Sequence, residues 1–342
     1  MMFETLQTLC NLPGPSGCED AVREFIRAQA APFADEMRED PMGNLMIFRK
    51  GAKHTAKTVM LAAHMDEVGL IVKRITDDGM LGFGFVGGVD PRVVIGRRVL
   101  FGDVKGVVGI KAVHLTRAAE RKTMPKTDEL YIDIGATSKA AAEDKVSLGD
   151  YGVFDSGFVL FGDGLVKARA IDDRLGCAVL LTLLREQPPV DTWFCFTVQE
   201  EVGLRGAMTA AYHLKPDLAL VVEGTTAADL ADVPAHKKVC GVRGGAVLPF
   251  MDGRTIYDAK LFELLRDAAD KRGVKWQTKH MIAGGTDAGV IHRSRSGVRV
   301  AAVAAPVRYI HSPACVAATS DMEGVLTIAR AFLEEIGERD NV

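Results

Sequence analysis

The sequence predicts an α/β fold, a mostly parallel sheet covered by helices and interrupted by an inserted small β-barrel. Three observations carry this. Near-continuous apolar runs at residues 58–64, 192–198, 218–222 and 298–304 have the character of strands buried on both faces. Amphipathic helical segments alternate with them, as a covered parallel sheet requires. Between residues 68 and 162 the texture changes to short β-rich runs separated by glycines, among them Gly79, Gly82, Gly84, Gly87, Gly88, Gly96, Gly102, Gly106 and Gly109.

In chain order, Ala21, Val22, Phe25, Ile26 and Ala30 give helical spacing over residues 18–31. A turn at Asp40-Pro41-Met42-Gly43-Asn44 leads into a strand at 45–48, then the buried run 58–64. Within the glycine-rich stretch, strands are expected at 93–95, 98–101, 107–111 and 130–134. Residues 115–128 (LTRAAERKTMPKTD) are polar and basic and read as a mobile solvated loop. The α/β pattern resumes after Gly162, with helices expected at 172–185, 259–272 and 320–336. The predicted organisation is therefore a main domain from residues 1–67 and 163–342, with an inserted β-rich domain at 68–162.

Size and composition narrow the functional classes. At 342 residues the chain exceeds one small domain, and 48% hydrophobic with 25% charged residues lets it bury a large core. A net charge of −3 supplies no basic field for nucleic acid or anionic lipid, and 6% aromatics offer few stacking platforms. No apolar run reaches the ~18 residues of a membrane span. The first residues lack the basic-then-apolar order of a signal peptide. Cys10, Cys18, Cys177, Cys195, Cys240 and Cys315 are scattered and read as reduced thiols in the cytoplasm.

Metal-type residues fall at the ends of the buried runs, where open α/β sheets place ligand sites. His64-Met65-Asp66 follows the first, and residues two apart in an extended chain point the same way, so Asp66 can sit beside the His64 imidazole. Asp172-Asp173 opens a helix; the pair could serve the helix dipole, or Asp172 could bridge two metals. Glu200-Glu201 follows the 192–198 run, and two acids at a buried strand end are costly unless paired or bound to cations. One can ligate while the other acts as a base. Glu223 ends the third run, and His311 follows the fourth. This nitrogen and oxygen donor set suits zinc, cobalt or manganese, and paired ions of this type activate water for hydrolysis. His54, His213 and His236 sit in polar stretches and read as surface residues; His114, His280 and His292 lack a companion acid motif.

HMDEVG, ARAIDDRLG, QEEVGLRGA and YIHSP, in this order, resemble the tetrahedral aminopeptidases, co-catalytic metallopeptidases that include glutamyl and deblocking aminopeptidases. GPSGCED, DPMGNL, GGVDPRVVIGRRV, LYIDIGA and GGTDAG extend the resemblance nearly end to end. It implies a metal-dependent aminopeptidase acting on short peptides, with two divalent ions per subunit. His64 and Glu223 would bind one ion, Glu201 and His311 the other, and Asp172 would bridge them. Asp66 would orient His64, and Glu200 would be the general base. Relatives often carry Asp at the Glu223 position, which bears on the choice of metal. The resemblance further implies a tetrahedral dodecamer built from dimers through the barrel, with the 115–128 loop near a neighbouring subunit's site, and a cis Asp172–Asp173 peptide. Related di-metal deacylases or carboxypeptidases, a metal-free glycosidase and a non-catalytic assembly protein are the alternatives. Arg243 and the loop around 284–287 are candidates for shaping the substrate pocket, with a plain surface role the other reading of Arg243.

Overall fold

The computed structural model describes residues 2–54 and 56–339. Its centre is an eight-stranded sheet in the order Glu36–Glu39, Leu45–Arg49, Thr192–Thr197, Val59–His64, Leu218–Thr226, Arg299–Val307, Ala246–Val247, Trp276–Gln277. The four middle strands run parallel, and antiparallel pairs flank them. Every residue of Val59–His64 is buried, so its side chains divide between two cores. Leu61 and Ala63 join Leu6, Leu9, Val22, Ile26, Leu180 and Phe332 on one face. Met60 and Ala62 join Ala207, Ala210, Ala211 and Ile291 on the other. Helices thus cover both faces, as unbroken apolar strands demand.

The inserted unit is a closed six-stranded barrel with the strand order Gly69–Ile75, Leu81–Val86, Leu130–Asp133, Val104–Ile110, Arg98–Phe101, Tyr151–Phe154. It has its own apolar core, including Leu70, Leu81, Phe83, Val99, Val108, Ile132 and Phe154. Closure is tight. A Cβ at Gly152 would stand 2.6 Å from the Phe101 ring, so only glycine allows that approach.

Several expectations are corrected. Residues 93–95 are not a strand; Pro91–Val94 is one helical turn, because Asp90 caps it through the Arg92 amide (2.9 Å) and proline occupies its first position. Residues 115–128 hold no strand and are largely exposed, with short turns at Val113–Leu115, Glu120–Lys122 and Thr127–Glu129 at and between their ends. Val159–Phe161 lies outside the barrel, pairing with Leu165–Ala168, which pairs in turn with Cys315–Ala318. Met2–Asn11 is a helix whose Leu6, Leu9 and Cys10 enter the main core.

Candidate metal centre

Strand register brings the motifs together. His64 ends its strand directly beside Thr197 of the next, and Glu223 lies beside Ala304 in the register of the following pair. The loop after Thr197 must turn at once to present two acids, and Gln199 adopts a left-handed φ of 57° to do so. Ala170 and His311 are also left-handed (54° and 56°). Such backbone costs about 1–3 kcal/mol per residue and gathers at functional sites.

All seven residues that the sequence singles out meet at this one place. His64 Nε2 lies 3.3 Å from Asp172 Oδ1, 3.4 Å from Glu223 Oε1 and 4.0 Å from Glu200 Oε2. His311 Nε2 lies 3.1 Å from Glu201 Oε2 and 3.6 Å from Asp172 Oδ2. Asp172 therefore turns one oxygen to each histidine. His64, Asp172 and Glu201 bring donor atoms within 4.8 Å of one another, as do His64, Asp173 and Glu223.

Asp66 is placed differently from the simple expectation. The nearest acceptor to His64 Nδ1 is the Asp66 carbonyl oxygen at 3.1 Å, with the carboxylate at 3.4 Å. That carboxylate accepts from the Glu200 and Glu201 amides (3.0 and 3.1 Å) and from Ser16 Oγ (2.5 Å). Asp66 thus holds the imidazole chiefly through its backbone carbonyl and the turn carrying both glutamates through its side chain.

Asp173 carries no separate signal in the sequence, yet it is fully buried beneath the site. It accepts from the amides of His64 (3.2 Å) and Gly176 (2.9 Å). A Cβ at Gly176 would stand 2.3 Å from Asp173 Oδ2, so the carboxylate fits only against glycine. With Asp173 committed to backbone amides, Asp172 is the acid that faces the histidines; the peptide between the two is cis. Glu67, Arg169 and Arg174 form a second buried group (3.1 and 3.4 Å), and Arg174 reaches the carbonyls of Leu9 and Leu12. Asp287, from GGTDAG, accepts from Thr197 Oγ1 at 2.6 Å. All of them fall inside strings singled out in the sequence, Glu67 in HMDEVG, Arg169, Asp173 and Arg174 in ARAIDDRLG and Asp287 in GGTDAG, but nothing in those strings assigns them a role.

The other histidines stay apart. His54, His114, His213, His236 and His280 are exposed, and half-buried His292 bonds the Ala288 carbonyl at 2.7 Å. Arg243 is exposed and bonds the Asp163 carbonyl, whereas Gly284, Gly285 and Thr286 line the cavity beside the site.

The electrostatics match a cation site. Burial pushes Glu201 up to about 8, and burial also lifts Glu200 and Glu223 far above the usual carboxylate range. Burial alone would lower His311, but Asp172 and Glu201 outweigh it and hold it at about 9. Asp172 Oδ1 is buried without a hydrogen-bond partner. Four crowded carboxylates, two imidazoles and one orphaned oxygen fit divalent cations, the partners that offset the cost of burying such charge.

With this geometry in place, the comparisons agree with one another. The profile of the M42 glutamyl aminopeptidase family matches residues 43–328. A lysyl aminopeptidase of Pyrococcus furiosus is 31% identical over 99% of this chain and 98% of its own length. The structure of an aminopeptidase from the archaeon Desulfurococcus kamchatkensis superposes with a TM-score of 0.93 at 35% identity, covering 99% of this chain and 96% of that one. The TET1 peptidase of Pyrococcus horikoshii, described as assembling into a tetrahedron or a large octahedral shell, superposes at 0.85 with 31% identity, covering 97% of this chain and 99% of that one.

Proposed function

Because this chain belongs to the M42 family of metal-dependent aminopeptidases, we propose that it removes the N-terminal residue from short peptides at a centre of two divalent ions. The observation that carries this is Asp172, whose two oxygens face different histidines 3.3 and 3.6 Å away. His64 and Glu223 would hold one ion, His311 and Glu201 the other, with Asp172 between them. Zinc or cobalt suits the set best, with manganese possible on ligand chemistry. Two ions held there would polarise the scissile carbonyl and make a water acidic near neutral pH.

The chain's own groups divide the remaining work. Glu200 accepts a proton from the attacking water and later gives it to the leaving amine. Its carboxylate is free for this because its loop is held by backbone, the amide resting on Asp66 Oδ1 at 3.0 Å. Asp66 positions His64 and both glutamates. The low-dielectric pocket strengthens each of these interactions. No observation favours a deacylase, carboxypeptidase, glycosidase or non-catalytic reading over this one.

The barrel supplies the dimer contact in this proposal, and the assembly is a tetrahedral dodecamer, a tetrahedron being one of the two forms described for the Pyrococcus horikoshii relative. Nothing in the charge or composition favours a nucleic-acid partner, and no helix among the described residues is long and apolar enough to cross a membrane. A cytoplasmic location is part of the same proposal, supported by six free cysteines, five of them buried. The test is a panel of aminoacyl p-nitroanilides assayed with zinc, cobalt and manganese, before and after chelation. Metal-dependent turnover is expected; turnover that survives full metal removal would contradict it.

A further inference from the structure

A cavity of about 640 Å³ opens where the barrel meets the sheet domain. One wall belongs to the barrel: Gly88, in the loop after Leu81–Val86, and Val93, in the turn Pro91–Val94. The other wall is the turn after Arg299–Val307, which brings Tyr309, Pro313 and Val316. His311 borders this cavity, and it also borders the one beside His64 and Glu223. The barrel comes close to the metal centre here. A Cβ at Gly88 would stand 3.7 Å from His311 Nδ1, and one at Gly87 would stand 3.3 Å from Glu201 Cβ. The insert therefore touches two of the side chains proposed to hold metal.

The charged residues on this lining are already engaged within the chain. Asp90 accepts from the Arg92 amide and from Arg92 Nε, both at 2.9 Å. Arg97 Nε donates to the Val93 carbonyl at 3.2 Å, and Lys167 Nζ to the Gly157 carbonyl at 2.7 Å. What the cavity offers an incoming group is mainly apolar surface. Its largest element is Tyr309, which is 51% exposed on a left-handed backbone (φ 56°), a conformation rare for a bulky residue. Its neighbours enforce it. Arg308 and Val316 exchange backbone hydrogen bonds at 2.8 and 3.0 Å, and the Arg308 guanidinium grips Asp229 at 2.6 and 2.7 Å. Tyr309 is thus carried on a fixed frame, two residues from a metal-type histidine.

A peptide cleaved at the centre must bring its scissile bond to Asp172 and His311. Neighbouring Cα atoms are about 3.8 Å apart, and successive side chains of an extended chain point to opposite sides. With the first side chain in the cavity beside His64 and Glu223, the second turns away from it and still lies close to His311. Resting on the aminopeptidase proposal, we infer that the cavity under the barrel binds the side chain of the substrate's second residue, and that Tyr309 and Val93 make it select aromatic and apolar side chains there. The barrel is then a wall of the substrate site as well as a domain with its own core. A phenylalanyl or leucyl second residue removes apolar surface from water on both walls. A glycyl one leaves the cavity unfilled, and a glutamyl one sets a carboxylate against apolar groups.

The experiment uses tripeptides that share the first residue cleaved best as a p-nitroanilide, carry Phe, Leu, Gly or Glu second, and end in Gly. Initial rates give kcat and KM for the metal-saturated wild type and for Tyr309→Ala, Tyr309→Phe and Val93→Asp, with metal content and oligomer size measured on each. The wild type is expected to favour phenylalanyl over glycyl by about 10–100-fold in kcat/KM, as burial of one large apolar side chain allows. Tyr309→Ala should lower that ratio by about 3–10-fold, mainly through KM, whereas Tyr309→Phe should keep it. Val93→Asp should lower it from the barrel side, and this variant carries the test should Tyr309→Ala fail to fold. A wild type that cleaves all four peptides alike, or the glutamyl peptide best, would overturn the inference and leave the aminopeptidase proposal standing. An unmoved ratio in the variants would overturn it too; if the shell falls apart at the same time, the cavity is a contact between subunits. Failure of the metal-loaded enzyme to cleave any p-nitroanilide or peptide would instead strike at the aminopeptidase proposal itself.

Discussion

The parallel strand ends and the inserted barrel solve opposite problems. At the strand ends, His64, Asp172, Glu200, Glu201 and Glu223 are buried or nearly so, and their burial is unfavourable without a cation. In the barrel, the interior is apolar, with Leu70, Leu81, Val99 and Ile132 fully buried. One region sacrifices stability for chemistry; the other gains stability from packing. Substitutions in the two should therefore separate cleanly, one set altering turnover and metal content, the other altering unfolding.

The largest expected effect is at Glu200. Glu200→Gln keeps size and hydrogen bonding but cannot accept a proton, so kcat should fall by about 10²–10⁴ with metal content unchanged. Steady-state kinetics with elemental analysis of the same sample checks this. Its neighbour should fail differently: Glu201→Gln should lower metal occupancy, and added metal should restore part of the activity. Loss of metal in both variants would erase the division of labour between the two glutamates.

In the barrel, Ile132→Ala should cost about 2–5 kcal/mol of stability, read by denaturant unfolding, while folded enzyme keeps its metal. A loss of metal at unchanged stability would break the contrast between the two regions. Deleting the barrel should leave a smaller oligomer on a sizing column; an undiminished shell would remove its proposed role in assembly.

A smaller, graded effect is expected from pH. In the metal-free site Glu201 titrates at about 8 and His311 at about 9, so both carry protons at pH 7 that a cation must displace. Metal binding should release protons and tighten as pH rises from 7 to 9, by about tenfold per pH unit for each proton displaced. Competition with a chelator at several pH values measures this; affinity that is flat or falls with pH would contradict it.

The two regions also differ in how much of them is legible in the sequence. The strand-end site is almost wholly readable, because buried apolar runs announce their ends, and acids placed there must be paired or bind cations. The barrel is readable as a texture of glycines, but not strand by strand: Pro91–Val94 contains two valines that favour a strand, and local capping by Asp90 overrides them. The Met2–Asn11 helix has apolar residues at readable spacing in Met2, Leu6 and Leu9. What stays hidden are long-range polar contacts. Ser16 is 50 residues from its partner Asp66, and Arg174 is 165 from Leu9. Asp173 differs from Asp172 only in which backbone amides its fold places nearby, which no local pattern encodes.

The central claim is that one carboxylate, Asp172, lies between two cations. Elemental analysis of enzyme saturated with zinc or cobalt and freed of excess metal tests it most directly. Two tightly held ions per chain are predicted, falling together in Asp172→Asn. A single ion, or none, in the saturated wild type would contradict it.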